Sequence, residues 1–229
     1  MVLGKLIQNI NRTNNFIYLT LSLLTLLIAS SFAPLLHEKA MEYIIQSIIL
    51  LTFIVCFASL QFDRKWTVFL SVLAIFAVTV IAIKHIFHIE ELSMVMLALT
   101  FVFFFGTFKS SAKQIFNTGP VDTNKLVGSV ALFLLLGLMW TIAYLILLDI
   151  DPTSFNGLDA LSYEENFSDS AYFSFVTLTT LGYGDISPAT RIAKTLVYLE
   201  SIVGVFYIAV VVSSLVSSNL EQKNHRADQ

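Results

Sequence analysis

Polar breaks divide the chain into long apolar runs, and each run predicts a helix. The first, Phe16 to Leu36, follows a polar lead with Lys5 and Arg12 and is broken near Pro34. Ser31-Phe32-Ala33 imitates a signal-cleavage site, but the run is longer than a usual signal core and reads as a retained span. A second span is expected from about Ile44 to Phe62, ending at Asp63-Arg64-Lys65, and a third from about Trp66 to Phe87. The turn between them is short enough to force an antiparallel hairpin. Lys84, His85, His88, Glu90 and Glu91 mark the next boundary. A fourth span, about Leu92 to Phe108, is close to the shortest helix that crosses a bilayer. Lys109 to Lys125, with Asn117-Thr118-Gly119-Pro120, reads as a polar linker between domains.

The second part of the chain has a different rhythm. A fifth span is predicted over Leu126 to Leu148, followed by an acidic, turn-rich segment from Asp149 to Asp169. A short helix from Ser170 to Thr179, capped by Ser168 or Asp169, leads into a glycine-bearing stretch and a turn through Pro188. The sixth span then runs from about Ile192 to Leu220. The expected fold is an all-α membrane protein: six transmembrane helices, with a re-entrant helix and loop between the fifth and sixth. Residues 1–115 form a four-helix domain in this reading, residues 126–220 a second domain, and residues 221–229 a short tail.

Composition agrees with a membrane setting. Of 229 residues, 56% are hydrophobic and only 13% charged, about half the charged share of an ordinary soluble domain. Mean hydropathy is +0.79. A net charge of −3 gives no reason to expect a nucleic-acid partner. The single cysteine, Cys56, lies in an apolar run and reads as a small buried hydrophobe. The chain contains no phosphate-binding Walker loop, no G-x-S-x-G and no clustered metal ligands, so no enzyme motif applies. Loop charges set the orientation. Lys5, Arg12, Arg64, Lys65, Lys109, Lys113, Lys125, Lys223 and Arg226 fall on one side, against Lys39, Lys84, Arg191 and Lys194 on the other. The positive-inside rule then places both termini in the cytoplasm, in the plasma (cell inner) membrane.

The chemistry concentrates in Thr177-Leu178-Thr179-Thr180-Leu181-Gly182-Tyr183-Gly184-Asp185. A row of carbonyl oxygens can replace a cation's water shell only if successive carbonyls point the same way. That requires left-handed dihedrals at alternate residues, which glycine adopts without steric cost. Gly182 and Gly184 stand at alternate positions, and Thr180 can add a hydroxyl oxygen at the inner end.

This stretch resembles the selectivity filter of the potassium channel family, in which four such loops converge. The resemblance extends over the order span, short helix, filter, span from Leu126 to Leu220. It implies that Thr180, Leu181, Gly182 and Tyr183 coordinate K+, that Gly184 completes the filter geometry, and that a homotetramer in the lipid bilayer encloses the pore. Leu181 stands where the family usually has Val, a β-branched side chain stiffer at its first torsion. Tyr172 and Phe173 occupy the positions of paired tryptophans behind the filter, and the Tyr172 hydroxyl is placed to bond Asp185. Val176 stands where some members carry a buried glutamate, so that brace is missing, and Thr177 completes the filter support. Gly204 matches the family's hinge glycine by spacing; a small residue at a helix crossing fits equally well. Ile208, Val212, Leu215 and Asn219 follow at spacings of three or four, with Leu215 as a hydrophobic gate or part of a lipid-facing stripe.

Glu200 lies about two turns inside the sixth span. A carboxyl there is costly and counts as a functional group by default, and a protonated or hydrogen-bonded brace against the short helix is the preferred reading. The first four spans resemble the voltage-sensing layout, in which helix four carries Arg or Lys at every third position. Leu92 to Phe108 has no charged residue, so steep voltage dependence lacks its energy source of about 2.3 kcal/mol per elementary charge per 100 mV. His85 and His88, with Glu91, suggest an external pH or zinc sensor, although a solvated helix end accounts for them more simply. The tail after Leu220 is too short for a regulatory domain. The expected protein is therefore a voltage-independent, passive potassium channel with no cofactor beyond the permeant ion. The alternatives are a weakly selective cation channel, and a potassium-uptake or regulatory subunit working with an unidentified partner.

Overall fold

The computed structural model describes residues 14–32, 52–56, 64–87, 92–117, 122–159, 161–214 and 216–217. It is mostly helical. Four helices are long and apolar enough to cross a membrane among these residues: Asn15–Phe32, Ser93–Phe116, Thr123–Ile150 and Arg191–Val212. The predicted second span falls mainly outside the described residues, of which 52–56 are helical.

Helix α1 (Asn15–Phe32) buries Phe16, Leu19, Leu23 and Leu26, a stripe spaced by three and four residues that forms one helical face. Helix α2 (Arg64–Phe87) buries Trp66, Leu70, Leu73 and Val80 at similar spacing, while Val72, Ile75 and Val78 are exposed. Helix α3 (Ser93–Asn117) continues well past the predicted end at Phe108. The Lys109–Asn117 stretch, expected to be linker, is helical because Ser111 and Ile115 extend its buried face one turn at a time.

Helix α4 (Thr123–Ile150) starts where Asp122 Oδ1 accepts the Lys125 backbone N–H at 2.9 Å, an N-cap that satisfies one orphan donor. It is buried on most sides, and α1, α3 and the later helices all pack on it. The N-terminal helices α1 and α3 are thus joined to the C-terminal half within one chain. At their shared end Asn124 Nδ2 donates to Asn15 Oδ1 at 2.8 Å, and Asn15 Nδ2 donates to Gln114 Oε1 at 3.2 Å.

Beyond α4 the chain forms β1 (Phe155–Asn156), α5 (Tyr163–Leu178), β2 (Ser187–Pro188) and α6 (Arg191–Phe206), followed by a π-helical stretch at Tyr207–Val212. The two short strands pair antiparallel, Phe155 with Pro188 and Asn156 with Ser187. This small ribbon is a departure from the purely helical expectation. It joins the turn-rich segment after α4 to the turn before α6, and its Phe155 is buried against Tyr144 and Phe173.

Candidate functional site

The site begins with α5, which points its C-terminal end at the glycine-bearing stretch. The helix starts at Tyr163, a full seven residues before the predicted Ser170. Ser162 is the cap, not Ser168 or Asp169: Ser162 Oγ accepts the Glu165 N–H at 3.3 Å, and Glu165 Oε2 accepts the Ser162 N–H at 3.0 Å. This reciprocal box satisfies two donors at once, and Glu164 and Glu165 lie at the positive end of the helix dipole. Ser162-x-x-Glu165 was the signal in the sequence, hidden by its setting among loop-like acidic residues.

The chain leaves α5 by folding back onto it. The Thr180 N–H donates to the Thr177 carbonyl at 2.9 Å, and the Val176 carbonyl accepts the N–H groups of Leu181 at 2.9 Å and Gly182 at 3.4 Å. Val176 thus contributes a carbonyl where a side-chain acid is absent. Thr177 is buried behind this turn. Along the following stretch φ is +60° at Thr180, +57° at Gly182 and +84° at Gly184. Left-handed backbone therefore recurs at every second residue, and the alternation reaches one position further in than the glycines mark. Thr180 holds this conformation despite its Cβ, which costs strain. Leu181 and Tyr183 are 55% and 69% exposed, so one side of the stretch is open in the single chain.

The outer end is tied down twice. The Tyr172 hydroxyl donates to Asp185 Oδ2 at 2.7 Å. That bond holds the Asp185 carboxyl below its usual range, and the same bond pushes the Tyr172 phenol up to about 12. The second tie is the β1–β2 ribbon, supported by Asn156 Nδ2 donating to Ser187 Oγ at 3.2 Å and by the Ala189 N–H on the Ser154 carbonyl at 2.8 Å. Asn156-Gly157 marked a turn in the sequence, but its partner 31 residues away left no local trace.

Behind the site, Phe173 joins a ring cluster with Tyr144 at 5.2 Å and Phe155 at 5.6 Å between centroids. Ile186 and Ala193 complete this small core. Glu200, fully buried on α6, is reached by the Tyr144 hydroxyl of α4 and by Ser174 Oγ of α5 at 2.6 Å. Neither Tyr144 nor Ser174 stood out in the sequence, because their sites on other helices follow from tertiary register alone.

Gly204 sits where α6 crosses the end of α5: a Cβ there would overlap the backbone carbonyl of Leu178. The irregularity in this helix lies further on. Tyr207–Val212 is π-helical, a form found mostly as isolated bulges and frequently at functional sites. Its first residue, Tyr207, is buried and donates its hydroxyl to the Ser129 carbonyl of α4. Ile208 is exposed and Val212 half-buried. Leu215, Asn219 and His88 lie outside the described residues, as does the side chain of His85.

Residues 130–220 match a family model described as ion channel. Over 58 residues the chain is 40% identical to two pore potassium channel c of Oryza sativa subsp. japonica. That match covers 25% of this chain and 13% of the relative, so the chain corresponds to a small part of it. No solved structure matches the chain. The family match and the four long apolar helices support an integral membrane protein carrying an ion-channel-type pore unit.

Proposed function

We propose that the chain is one subunit of a homotetrameric, potassium-selective channel that conducts passively and is not gated by voltage. The observation that carries the reading is the alternation of left-handed backbone at Thr180, Gly182 and Gly184 at the C-terminal end of α5. Alternating handedness turns successive carbonyls to one side, where they can take the place of water around a dehydrated cation. Thr180, Leu181, Gly182 and Tyr183 supply those oxygens. The C-terminal carbonyls of α5 add the negative end of a helix dipole.

One chain supplies one wall of such a filter, and irregular backbone at membrane depth needs protein or water beside it. Leu181 and Tyr183 are exposed, as are Tyr198, Ile202 and Phe206 at four-residue spacing along α6, and these apolar side chains are available to neighbouring copies around a shared axis. The potassium channel relative in rice matches the same ionic preference. The test is flux from liposomes under separate K+ and Na+ gradients, comparing wild type with Gly182→Ala. Nothing lies within 4 Å of a Cβ built at Gly182, but its φ of +57° disfavours any L side chain. Potassium flux well above sodium flux, lost in the variant, is the expected result. Equal fluxes lost together would replace the reading with a weakly selective pore, in which Leu181 has softened the filter. Absence of flux until another membrane protein is added would favour an uptake or regulatory subunit.

A further inference from the structure

Glu200 occupies the centre of a chain of oxygen atoms linking three helices. The Tyr144 hydroxyl contacts its Oε2, Ser174 Oγ lies 2.6 Å from its Oε1, and the same Ser174 Oγ lies 2.8 Å from the Gly137 carbonyl oxygen. Both Ser174 contacts are as short as ordinary two-centre O–H···O bonds, shorter than the two arms of one shared hydrogen, and each two-centre bond needs its own hydrogen between its two oxygens. Tyr144 and Ser174 supply one hydrogen each. The Gly137 oxygen only accepts, from the Thr141 hydroxyl as well as from Ser174. The third hydrogen therefore has one source left, the Glu200 carboxyl.

We propose that Glu200 is carried as a neutral carboxylic acid whose proton positions the pore helix. In this arrangement Oε1–H donates to Ser174, Ser174 donates to the Gly137 carbonyl, and Tyr144 donates to Oε2. Every contact is then a hydrogen bond, and no lone pair opposes another. The setting agrees. Glu200 has no solvent exposure, its contacting partners Tyr144 and Ser174 carry no positive charge, and an ionised carboxylate in such a place would be uncompensated. Ser174 lies one turn before Leu178, the last residue of α5, so the relay fixes the helix end from which the filter departs. Glu200 is a positioning residue, acting on conduction through Ser174.

The proton count yields a readout independent of conduction. An infrared difference spectrum between wild type and Glu200→Gln, in liposomes at neutral pH, isolates this one carboxyl. The expected result is the carbonyl stretch of a protonated acid, lost in the variant. Carboxylate stretches in its place would overturn the proposal. A second arm uses flux. Glutamine preserves the count, donating from its amide nitrogen to Ser174 and accepting from Tyr144 through its oxygen, whereas alanine breaks it. Flux lost in Glu200→Ala is therefore restored in Glu200→Gln, and a Gln variant as inactive as Ala while still assembled would overturn the positioning role. That role rests on the channel reading; if the acid band is present and wild type does not conduct, the channel reading is what fails.

Discussion

The two halves of the chain use polar side chains differently. In α1 to α3 most hydroxyls turn back on their own helix: Ser22 to the Leu19 carbonyl, Thr25 to Leu21, Thr79 to Ile75, Thr100 to Met96 and Thr107 to Phe103. These bonds satisfy the side chain within its own helix, although Thr107 also meets the Cys56 thiol. From α4 onward some hydroxyls also bond back to their own helix, as Thr141 does to Gly137 and Ser201 to Val197, but other polar contacts join separate elements: Tyr144 and Ser174 to Glu200, Tyr172 to Asp185, Tyr207 to Ser129 and Asn156 to Ser187. In a bilayer, apolar contact alone discriminates poorly between lipid and protein, so interhelical hydrogen bonds and close packing carry the specificity. The pore half is held in one geometry by named pairs. Among the described residues the N-terminal half packs through apolar faces, with polar ties at the Asn15, Gln114 and Asn124 cluster, at the Thr20 hydroxyl on the Val127 carbonyl at 3.3 Å and between Thr107 and Cys56.

This contrast ranks substitutions by expected effect. Gly204→Ala is the most damaging, because its Cβ meets a backbone carbonyl that cannot rotate away. Overpacking of this kind costs about 1–3 kcal/mol per subunit, and thermal unfolding of the purified protein, followed with its assembly state, should show the loss.

The Tyr172–Asp185 bond comes next, and its signature is a pH window. Asp185 has a lowered carboxyl in the folded protein, so the bond's contribution is present above the ordinary carboxylate range, about pH 4. It is lost as pH falls through the lowered value. At the alkaline end it is lost as Tyr172 gives up its proton, near about 12. Tyr172→Phe removes the donor, so the acid loss of flux moves up toward the ordinary carboxylate range. A pH profile of flux from liposomes, wild type against variant, measures the shift.

A third prediction concerns voltage. The part of α3 that would move through the field, Ser93 to Phe108, carries no charge. Its buried face of Leu97, Phe103, Phe104 and Thr107 is packed into the core. Conductance recorded against potential should lack a steep sigmoid, and one carrying several gating charges would show that the N-terminal half is a sensor after all. The smallest effects belong to the back-bonded hydroxyls. Thr79→Val and Thr100→Val remove only local bonds and should shift stability by no more than about 0.5 kcal/mol. A larger loss would show that these hydroxyls also tie separate helices together.

The features legible in the sequence are those whose physics is local. Alternating glycines at 182 and 184 point to left-handed backbone without tertiary information, and the apolar runs mark both ends of α4 and the starts of α1, α3 and α6 to within a few residues, but not the α3 C-terminus. That end was missed because Lys109 and Lys113 read as boundary charges, whereas the buried Ser111 and Ile115 between and after them keep the helix packed. Thr180 shares the left-handed geometry with no glycine to announce it, since the turn back to Val176 and Thr177 imposes it. Glu200 stood out as a charge in an apolar run. Its partners, 26 and 56 residues distant, could be found only once the helices were placed. The π-helical stretch at Tyr207 is equally silent, its residues as apolar as the turns on either side.

The alternating backbone at Thr180–Gly184 is proposed as a filter selective for potassium. Its most direct test is the reversal potential across a planar bilayer holding the protein, with K+ on one side and Na+ on the other. The account predicts a large potential of the sign that marks K+ as the permeant ion, unchanged when the voltage protocol is reversed. A reversal potential near zero, with ample current, would contradict it and show a pore that does not tell the two ions apart.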